Sequence, residues 1–221
     1  MPLCGKYVCG EASVAVWEIT ETVGELQTLL DAPEASCVEN FQSTERRCEW
    51  LAVRLLLKCM CGADARIVYD AAGKPFLEGG GACISVSHTK GYAALAVSRT
   101  CPVGLDIELA AREVGAVARR FMREQELVSV PASLHNAAKL LRWVASEALF
   151  KITGDLGGNY RDNIVPDKFL PACSGVFSLS LVGVPCASSG YSVSYLFDGP
   201  LLIALCREGA GEALVAAGEA L

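Results

Sequence analysis

The feature that most constrains the fold is an order of secondary-structure patterns that occurs twice along the chain. Residues 43–60 and 134–153 carry apolar side chains at helical spacing, and each segment is followed by short runs of strand type. These runs lie at 66–69, 82–87, 92–98, 176–182, 190–197 and 201–206. We therefore predict an α+β fold of two similar tandem halves, residues 1–102 and 103–221, related by a pseudo-twofold axis, with the active site between them.

Shorter elements complete the predicted order. Strands are also predicted at 14–19 and 103–109, a helix at 21–31, and one or two short helices at 113–130. Residues 155–172 contain two prolines and several aspartates, so we predict a loop there. No low-complexity segment or long linker interrupts this order, which agrees with one large domain or two small domains packed together.

The composition indicates a globular protein and narrows its partners. Of the 221 residues, 52% are hydrophobic and 20% are charged, which is enough apolar material for a core and too little charge for a disordered chain. The net charge is −6, so nucleic acid is not an expected partner. An acidic partner would have to be met by a local basic surface.

The cysteines and the start of the chain favour a cytoplasmic location. The 11 cysteines are odd in number and include no CxxC pair, so we interpret them as small buried hydrophobic residues in a reduced cytosol. With only 2 histidines, few ligands are available for zinc. Residues 1–20 lack a signal-peptide pattern and no apolar run has the length of a membrane span, so no membrane partner is expected.

A pair of acids lies on the strand predicted at 103–109. Asp106 and Glu108 are two residues apart in the run V-G-L-D-I-E, so their side chains leave the same face, roughly 6–7 Å apart at the backbone. Two carboxylates so placed repel each other unless a cation lies between them, and oxygen ligands suit Mg²⁺. Taken alone, the run is more typical of a solvated strand end with two exposed acids.

A second candidate group lies on the helix predicted at 134–153. Trp143, Glu147 and Lys151 follow each other at intervals of four residues and so share one helix face. Alone, they are most simply a core tryptophan beside a helix salt bridge worth about 0.3–0.5 kcal/mol. The functional interpretation puts Glu147 on a metal ion and Lys151 on a phosphate.

Two polar turns provide candidate phosphate contacts. The run I-S-V-S-H-T, which contains Ser87 and His88, ends a strand with hydroxyl, imidazole and backbone N–H donors. Alone, it is equally a capped turn with a hydrogen-bonded histidine. Lys74 lies in a G-K-P turn, which is uninformative by itself.

Taken in order, these motifs resemble the 4′-phosphopantetheinyl transferase superfamily, most closely its larger single-chain pseudo-dimeric branch, the surfactin-synthetase-activating type. The resemblance covers residues 45–155. It is carried by Gly73-Lys74-Pro75, Ser85-Val86-Ser87-His88, Gly104-Leu105-Asp106-Ile107-Glu108, Arg120-Phe121 with Glu126, and Trp143 with Glu147-Ala148 and Lys151. Each motif is weak by itself, but five in sequence at this spacing make coincidence a poor explanation.

The resemblance implies a reaction and a set of roles. The 4′-phosphopantetheine arm of coenzyme A would pass to a serine of an apo acyl or peptidyl carrier protein, releasing adenosine 3′,5′-bisphosphate. Asp106, Glu108 and Glu147 would hold Mg²⁺ on the pyrophosphate of coenzyme A. Glu147 would accept the serine proton, directly or through a metal-bound water, and Lys151 would act on the phosphates as stabiliser or proton relay.

Further residues are implied to bind coenzyme A. Lys74, Ser87 and His88 match family positions that contact the nucleotide phosphates, and Asp106 and Lys151 adjoin the same ligand. One additional phosphate-binding arginine is expected from the group Arg46, Arg47 and Arg54.

One position departs from the family pattern. Ser146 stands where the family usually has lysine, immediately before Glu147, so one positive charge beside the site is missing. Neighbouring helix positions do not share a face, so this lysine need not touch the metal. Ser146 nevertheless keeps open a second hypothesis, a degenerate member that binds coenzyme A or a carrier without transfer. Another Mg²⁺-dependent phosphate-transferring or hydrolysing enzyme fits the acids but not the ordered motifs.

The expected partner is acidic, because carrier proteins are acidic, and the chain offers one dense basic region. Its members are Arg112, Arg119, Arg120, Arg123, Lys139 and Arg142. They are equally explained as an ordinary charged helix face or as a docking surface for the carrier. Because the two predicted halves would form a cleft within one chain, we expect a monomer.

Overall fold

The computed structural model describes residues 3–154, 160–184 and 190–217. In this part of the chain the α-helices are α1 (Val23–Thr28), α2 (Ala32–Ser36), α3 (Thr44–Cys61), α4 (His135–Thr153) and α5 (Tyr160–Asn163). The strands are β1 (Leu3–Cys9), β2 (Ala12–Glu18), β3 (Ile67–Tyr69), β4 (Pro75–Leu77), β5 (Cys83–Thr89), β6 (Tyr92–Ser98), β7 (Val103–Leu109), β8 (Ile164–Pro166), β9 (Ser174–Leu181), β10 (Tyr191–Asp198), β11 (Leu201–Glu208) and β12 (Val215–Ala216). Short 3₁₀ helices span Gly115–Arg120, Glu124–Leu127 and Ala132–Leu134. Helices and strands occur in blocks, which confirms the predicted α+β class.

The described strands form two five-stranded antiparallel sheets and one small ribbon. The first sheet has the order β12-β1-β2-β6-β5, the second has the order β7-β11-β10-β9-β8, and β3 pairs with β4. Both sheets contain the same connection, in which a strand leads to a long helix and the chain returns by a hairpin. The last strand of that hairpin lies beside the first strand, β6 beside β2 and β11 beside β7. This repeated connection agrees with the repeated order of sequence patterns.

The end of the chain returns to the first sheet. The strand β7 begins at Val103, where the second half was predicted to start, but β12 pairs with β1 across the sheet edge. The division into residues 1–102 and 103–221 therefore stays a prediction. Among the described residues, no helix combines the length and apolarity needed to cross a bilayer.

The helix α3 packs on the first sheet. Ser43 caps it, because its Oγ accepts a hydrogen bond from the backbone N–H of Arg46 at 3.2 Å. Leu51 belongs to one buried cluster with Trp17 and Leu95 of the sheet. Burial of this apolar face, rather than helix propensity alone, stabilises the helix.

Two further cores position the second half of the chain. The helix α4 buries Val144 in one cluster with Leu202 of the second sheet. Another buried cluster lies between the two sheets and includes Val16 of β2 and Ile203 of β11. The two sheets therefore share apolar surface and are held as neighbours by the hydrophobic effect.

The sheets also meet along β5 and β7, which carry no backbone ladder to each other. Instead of strand β5 backbone groups, its serine hydroxyls accept hydrogen bonds from backbone N–H groups of β7. Ser85 Oγ accepts from Leu105 N at 2.8 Å, and Ser87 Oγ accepts from Ile107 N at 3.1 Å. The polar residues of the I-S-V-S-H-T run thus join the two sheets at the strand that carries the predicted acids.

The long helices, the hairpin strands and β7 lie within a few residues of their predicted positions, whereas weaker patterns were missed. The strand β1 was not predicted, because residues 3–9 contain glycine and lysine and form a strand through pairing with β2. The strand β4 lies where only a turn was expected. Residues 155–159 of the predicted loop lie outside the described residues, and the remainder of that loop contains α5 and β8.

The helix predicted at 21–31 is shorter in the structure, where α1 spans Val23–Thr28, and a separate helix that was not predicted, α2, begins at Ala32. The first helix ends at Thr28, and the Asp31 side chain then begins α2 by accepting from Glu34 N at 3.1 Å. Pro33 follows in the first turn of α2, where its missing N–H costs nothing. The predicted short helices at 113–130 are confirmed as 3₁₀ helices.

Candidate active site

The site begins with a close crossing of α4 over β7 at Gly104. A Cβ atom on this residue would overlap the carbonyl oxygen of Ala148, so a larger side chain cannot occupy the position without moving the helix. The crossing lies one turn of α4 from Lys151 and two residues along β7 from Asp106. The glycine of the G-x-D-x-E motif therefore allows the helix to present its polar face to the acids.

Lys151 and Asp106 form the central contact of the site. Lys151 Nζ lies 2.8 Å from Asp106 Oδ1 and donates to the carbonyl oxygen of Leu105 at 2.5 Å. Asp106 Oδ1 also accepts from Ser87 Oγ at 2.7 Å. Their side chains are only 26% and 14% exposed, so this charged pair is partly shielded from solvent. The simple interpretation of Lys151 as a helix salt-bridge partner of Glu147 does not hold, because the lysine pairs with the strand.

Glu147 is the half-buried acid of the site. Burial raises the pKa of its carboxyl group, the negative charge of Asp106 raises it further, and the positive charge of Lys151 partly opposes both effects. The structure therefore brings Asp106, Glu147 and Lys151 into one electrostatic neighbourhood. Asp106 is paired with Lys151, whereas the surroundings of Glu147 disfavour its charged form.

Glu108 is held differently from the other two acids. Its Oε1 accepts from Thr89 Oγ1 at 2.5 Å and from Leu109 N at 2.9 Å, and its Oε2 forms an ion pair with Arg112. The side chain is 7% exposed, and its charge is already matched by an arginine. Asp106 and Glu108 thus face the same neighbouring strand, as predicted, but only Glu108 has an arginine partner.

The donor set fits a magnesium ion only in part. Within the described residues, no group of three or more histidine, cysteine, aspartate or glutamate side chains is arranged to hold a metal. Mg²⁺ usually takes one or two carboxylates from a protein and leaves its other positions to water and phosphate oxygens, so Asp106 and Glu147 have the chemistry that such a site would need. Glu108 would have to exchange Arg112 for the ion. The three-carboxylate site therefore stays a prediction.

His88 lies in a small charged cluster at the mouth of the site. Its Nε2 lies 2.8 Å from Arg46 Nη1, and its Nδ1 lies 3.3 Å from Glu49 Oε2. Because a guanidinium can only donate, Nε2 accepts and the ring proton faces Glu49. Burial lowers the pKa of His88, the charge of Glu49 opposes this, and Arg46 adds to the lowering. Of this cluster, His88 and Glu49 line a cavity of about 490 Å³ that Glu108 and Arg112 also line.

The remaining candidate cations differ in their surroundings. Lys74 Nζ donates to the carbonyl oxygen of Ile152 at 3.0 Å, which places this lysine at the C-terminal end of α4, near Lys151. Arg47 donates to backbone carbonyls of residues 39 and 41, and Arg54 is buried with its guanidinium 3.5 Å from the ring centre of Trp50. Of the three candidate arginines, only Arg46 contacts a predicted site residue.

The basic region is smaller than the sequence indicates. Arg142 is completely buried, so its assignment to a surface was wrong. Arg112 is exposed but pairs with Glu108, which makes it part of the site. The exposed arginines Arg119 and Arg120 remain on the surface, with Arg123 half-buried beside them.

Sequence reasoning missed the roles of Gly104, Thr89 and Arg112. Thr89 follows Ser87 by two residues on the same strand, so strand alternation was a usable signal that both hydroxyls face β7. Arg112 follows Glu108 by four residues across a turn, and no local pattern indicates that pairing. Trp143 is partly buried and packs against the core, with its ring centre 5.1 Å from that of Phe121.

Comparison with known proteins gives one relevant likeness. No protein-family model matches the chain. The chain is 28% identical over 147 residues to the 4′-phosphopantetheinyl transferase HetI of Nostoc sp., a match that covers 59% of this chain. The matched region spans 62% of that relative, less than two thirds of its length. This likeness agrees with the resemblance of the ordered motifs to the 4′-phosphopantetheinyl transferase superfamily.

Proposed function

We propose that this protein transfers the 4′-phosphopantetheine arm of coenzyme A to a serine of an apo acyl or peptidyl carrier protein. The observation that carries the proposal is the joint position of Asp106, Glu147 and Lys151 beneath the Gly104 crossing. These residues belong to two separate family motifs, because Asp106 precedes Glu147 by 41 residues and Lys151 by 45 residues. Their convergence supports one active site.

The proposed reaction breaks one bond and forms one. The serine oxygen attacks the phosphorus next to the pantetheine arm, the bond to the adjoining phosphate breaks, and adenosine 3′,5′-bisphosphate leaves. The serine proton passes to Glu147, whose raised pKa makes its carboxylate a better acceptor than an ordinary glutamate. Lys151, whose ammonium lies beside Asp106, would stabilise negative charge on the transferred phosphate.

Asp106 and Glu147 would hold Mg²⁺, with Glu108 as a third ligand if Arg112 releases it. When bound, the ion would neutralise pyrophosphate charge and favour departure of the leaving phosphate. Lys151 supplies a fixed positive charge on the same side of Asp106. The two cations would therefore share the work of charge neutralisation.

The positively charged side chains around the site would bind the phosphates of coenzyme A. Lys74 at the end of α4, and His88 with Arg46 at the mouth of the cavity, are the proposed contacts. Ser87 was predicted as another contact, and its hydroxyl would have to exchange its bond to Asp106 for a phosphate oxygen. Arg46 is our choice among the three candidate arginines.

The carrier protein would dock beside the 3₁₀ helices. A cavity of about 310 Å³ there has an apolar floor that includes Met122 and Leu127, and its rim carries Arg119, Arg123 and Lys139. The apolar floor suits one hydrophobic side chain and the rim suits flanking acids, which is the chemistry of an acidic amphipathic helix. We expect the enzyme to act as a monomer in the cytoplasm.

A second candidate function is binding without transfer. Two observations favour it: Ser146 replaces the usual lysine, and the charge of Glu108 is already matched by Arg112. A protein of this kind would bind coenzyme A or a carrier and leave both unchanged. The retained Lys151 and Asp106 pair favours transfer, because simple binding does not need a shielded ion pair at the reacting phosphates.

One experiment separates the candidates. The protein is incubated with coenzyme A, Mg²⁺ and an apo carrier protein, and the intact mass of the carrier is measured. Gain of one phosphopantetheine group supports transfer, and binding without a mass change supports the second candidate. Adenosine bisphosphate release without carrier modification would indicate a hydrolytic enzyme. Asp106→Ala should abolish the mass change, whereas Asp167→Ala, at an exposed aspartate outside the site, should not.

A further inference from the structure

Arg142 is an arginine with no exposed surface. It lies on α4, five residues before Glu147, and its relative exposure is 0%. Charged side chains are rarely buried so completely unless they are paired, because removing a guanidinium from water costs free energy. The groups that bond to the guanidinium compensate for this cost, and they indicate the role of Arg142.

The guanidinium of Arg142 joins three segments of the chain. Its Nε lies 3.0 Å from Glu126 Oε2 on the 3₁₀ helix Glu124–Leu127, and its Nη2 donates to the carbonyl oxygen of Ile164 at 2.8 Å. Glu126 Oε1 in turn accepts from Arg123 N at 2.9 Å. The helix that carries Glu147 is therefore tied to the segment that carries the basic rim and to the start of β8.

Ser146 provides the space that this arrangement needs. Arg142 Nη1 donates to Ser146 Oγ, and that hydroxyl donates to the Arg142 carbonyl oxygen at 2.8 Å. Ser146 is also fully buried, so a longer side chain at 146 would compete with the guanidinium for the same volume. The positive charge absent from position 146 is thus present in the same space, supplied from one helical turn earlier.

We infer that Arg142 is a positioning residue of the transfer reaction, and that it compensates for serine at position 146. Its guanidinium fixes α4 against residues 124–127 and Ile164, and so sets where Glu147 stands relative to the proposed carrier-docking surface. This inference rests on the proposed function. Serine at position 146 then does not indicate lost activity, because Arg142 supplies the positive charge that the family usually has at position 146.

A merely structural ion pair would behave differently from a positioning one. Replacing both members of a buried ion pair by apolar residues is often neutral for stability, because no charge is left unpaired. The double variant Arg142→Leu/Glu126→Leu should therefore fold. It would nevertheless lack the directional bonds to Ile164 and Ser146, so a positioning role predicts loss of turnover without loss of stability.

The test compares four proteins at saturating Mg²⁺: the wild type, Arg142→Leu/Glu126→Leu, Arg142→Leu/Ser146→Lys, and the control Arg99→Leu at an exposed arginine. We expect kcat of the apolar double variant to fall about 100-fold with its melting temperature little changed, since small misplacements of catalytic groups have effects of this size. The lysine variant returns a cation to Glu126 from position 146 and should recover kcat to within about tenfold of wild type. Wild-type kcat in the apolar double variant, or no recovery in the folded lysine variant, would overturn the inference.

Amide hydrogen exchange keeps this test separate from the proposed function. In the apolar double variant, exchange at residues 124–127 and 164–166 should accelerate, and in the lysine variant it should return towards the wild-type rate. A wild-type protein that modifies no carrier would refute the proposed function without touching this comparison. Unchanged exchange in the apolar double variant would refute the positioning role.

Discussion

Lys151 Nζ lies 2.8 Å from Asp106 Oδ1, which joins the polar face of α4 to the strand that carries the predicted acids. The lysine has no comparable ion pair with Glu147, four residues away on its own helix, within the described contacts. The pairing leaves Glu147 half-buried without a cationic partner of its own. The two acids of the site therefore differ in character, one neutralised by lysine and one with a raised pKa.

The first prediction concerns this pair. Lys151→Met removes the cation while keeping the aliphatic chain, so Asp106 loses its partner and the transferred phosphate loses its stabilising charge. We expect kcat for carrier modification to fall about 100-fold. The exposed Lys168→Met is the matched control and should retain activity. Similar kcat values for the two variants would remove Lys151 from the mechanism.

The second prediction concerns the helix crossing. Gly104→Ala places a methyl group against the backbone of Ala148, which cannot move without displacing α4. Overpacking of this kind costs about 3 kcal/mol. Gly115→Ala is a matched control, because a Cβ atom there meets nothing within 4 Å. Denaturant unfolding of both variants measures the difference in their free energies of unfolding. Equal unfolding midpoints would contradict a close contact between Gly104 and α4.

Much of this arrangement was predictable because it depends on local pattern. The long helices follow from apolar spacing and from caps such as Ser43, and the common direction of Asp106 and Glu108 follows from strand alternation. Both features are set within a few residues of sequence. Local rules therefore fix them before any tertiary contact is considered.

The partner of each charged side chain was not predictable in the same way. Lys151 has an acid at helical spacing, yet it pairs with Asp106, because the close crossing at Gly104 brings β7 within reach of the lysine. Arg142 resembles an exposed arginine in its local pattern, and its burial depends on Glu126, which lies 16 residues away. Choices between partners depend on tertiary packing, which no spacing rule encodes.

The third prediction is that the ionised carboxylate of Glu147 lowers the stability of the folded protein at neutral pH. A carboxyl whose pKa is raised on folding stabilises the fold when protonated; that contribution is full below the ordinary value of 4.5 and is lost as pH rises through the raised pKa. Glu147→Gln is neutral at every pH. In chelator-treated protein it should therefore melt above the wild type at neutral pH, and at a similar temperature below pH 4.5.

The control for this prediction is Glu113→Gln, at an exposed glutamate outside the site. Its melting temperature should follow that of the wild type at every pH. Thermal unfolding of the three proteins across the pH range measures the effect. A lower melting temperature for Glu147→Gln at neutral pH, without metal, would show that a favourable contact holds the carboxylate.

The fourth prediction distinguishes neighbouring arginines. Arg46→Ala removes the guanidinium beside His88, and we expect KM for coenzyme A to rise about tenfold, the effect of losing one charge-assisted hydrogen bond. Arg47→Ala is its neighbour on the same helix and points to backbone carbonyls away from the site. Steady-state kinetics with coenzyme A as the varied substrate compares them. An equal rise in KM for both variants would show that the loss of one positive charge, rather than the loss of the Arg46 contact, weakens coenzyme A binding.

The last prediction concerns the basic rim of the 310 Å³ cavity. Arg119→Glu/Arg123→Glu reverses two charges that would face the acidic carrier, so KM for the carrier should rise about tenfold while KM for coenzyme A stays unchanged. Arg119 already pairs with the exposed Glu124 at 3.5 Å, and so weak a surface pair yields readily to a partner. Arg99→Glu/Lys168→Glu changes the net charge equally at exposed positions away from the cavity. If both double variants raise KM for the carrier alike, overall charge rather than this cavity governs docking.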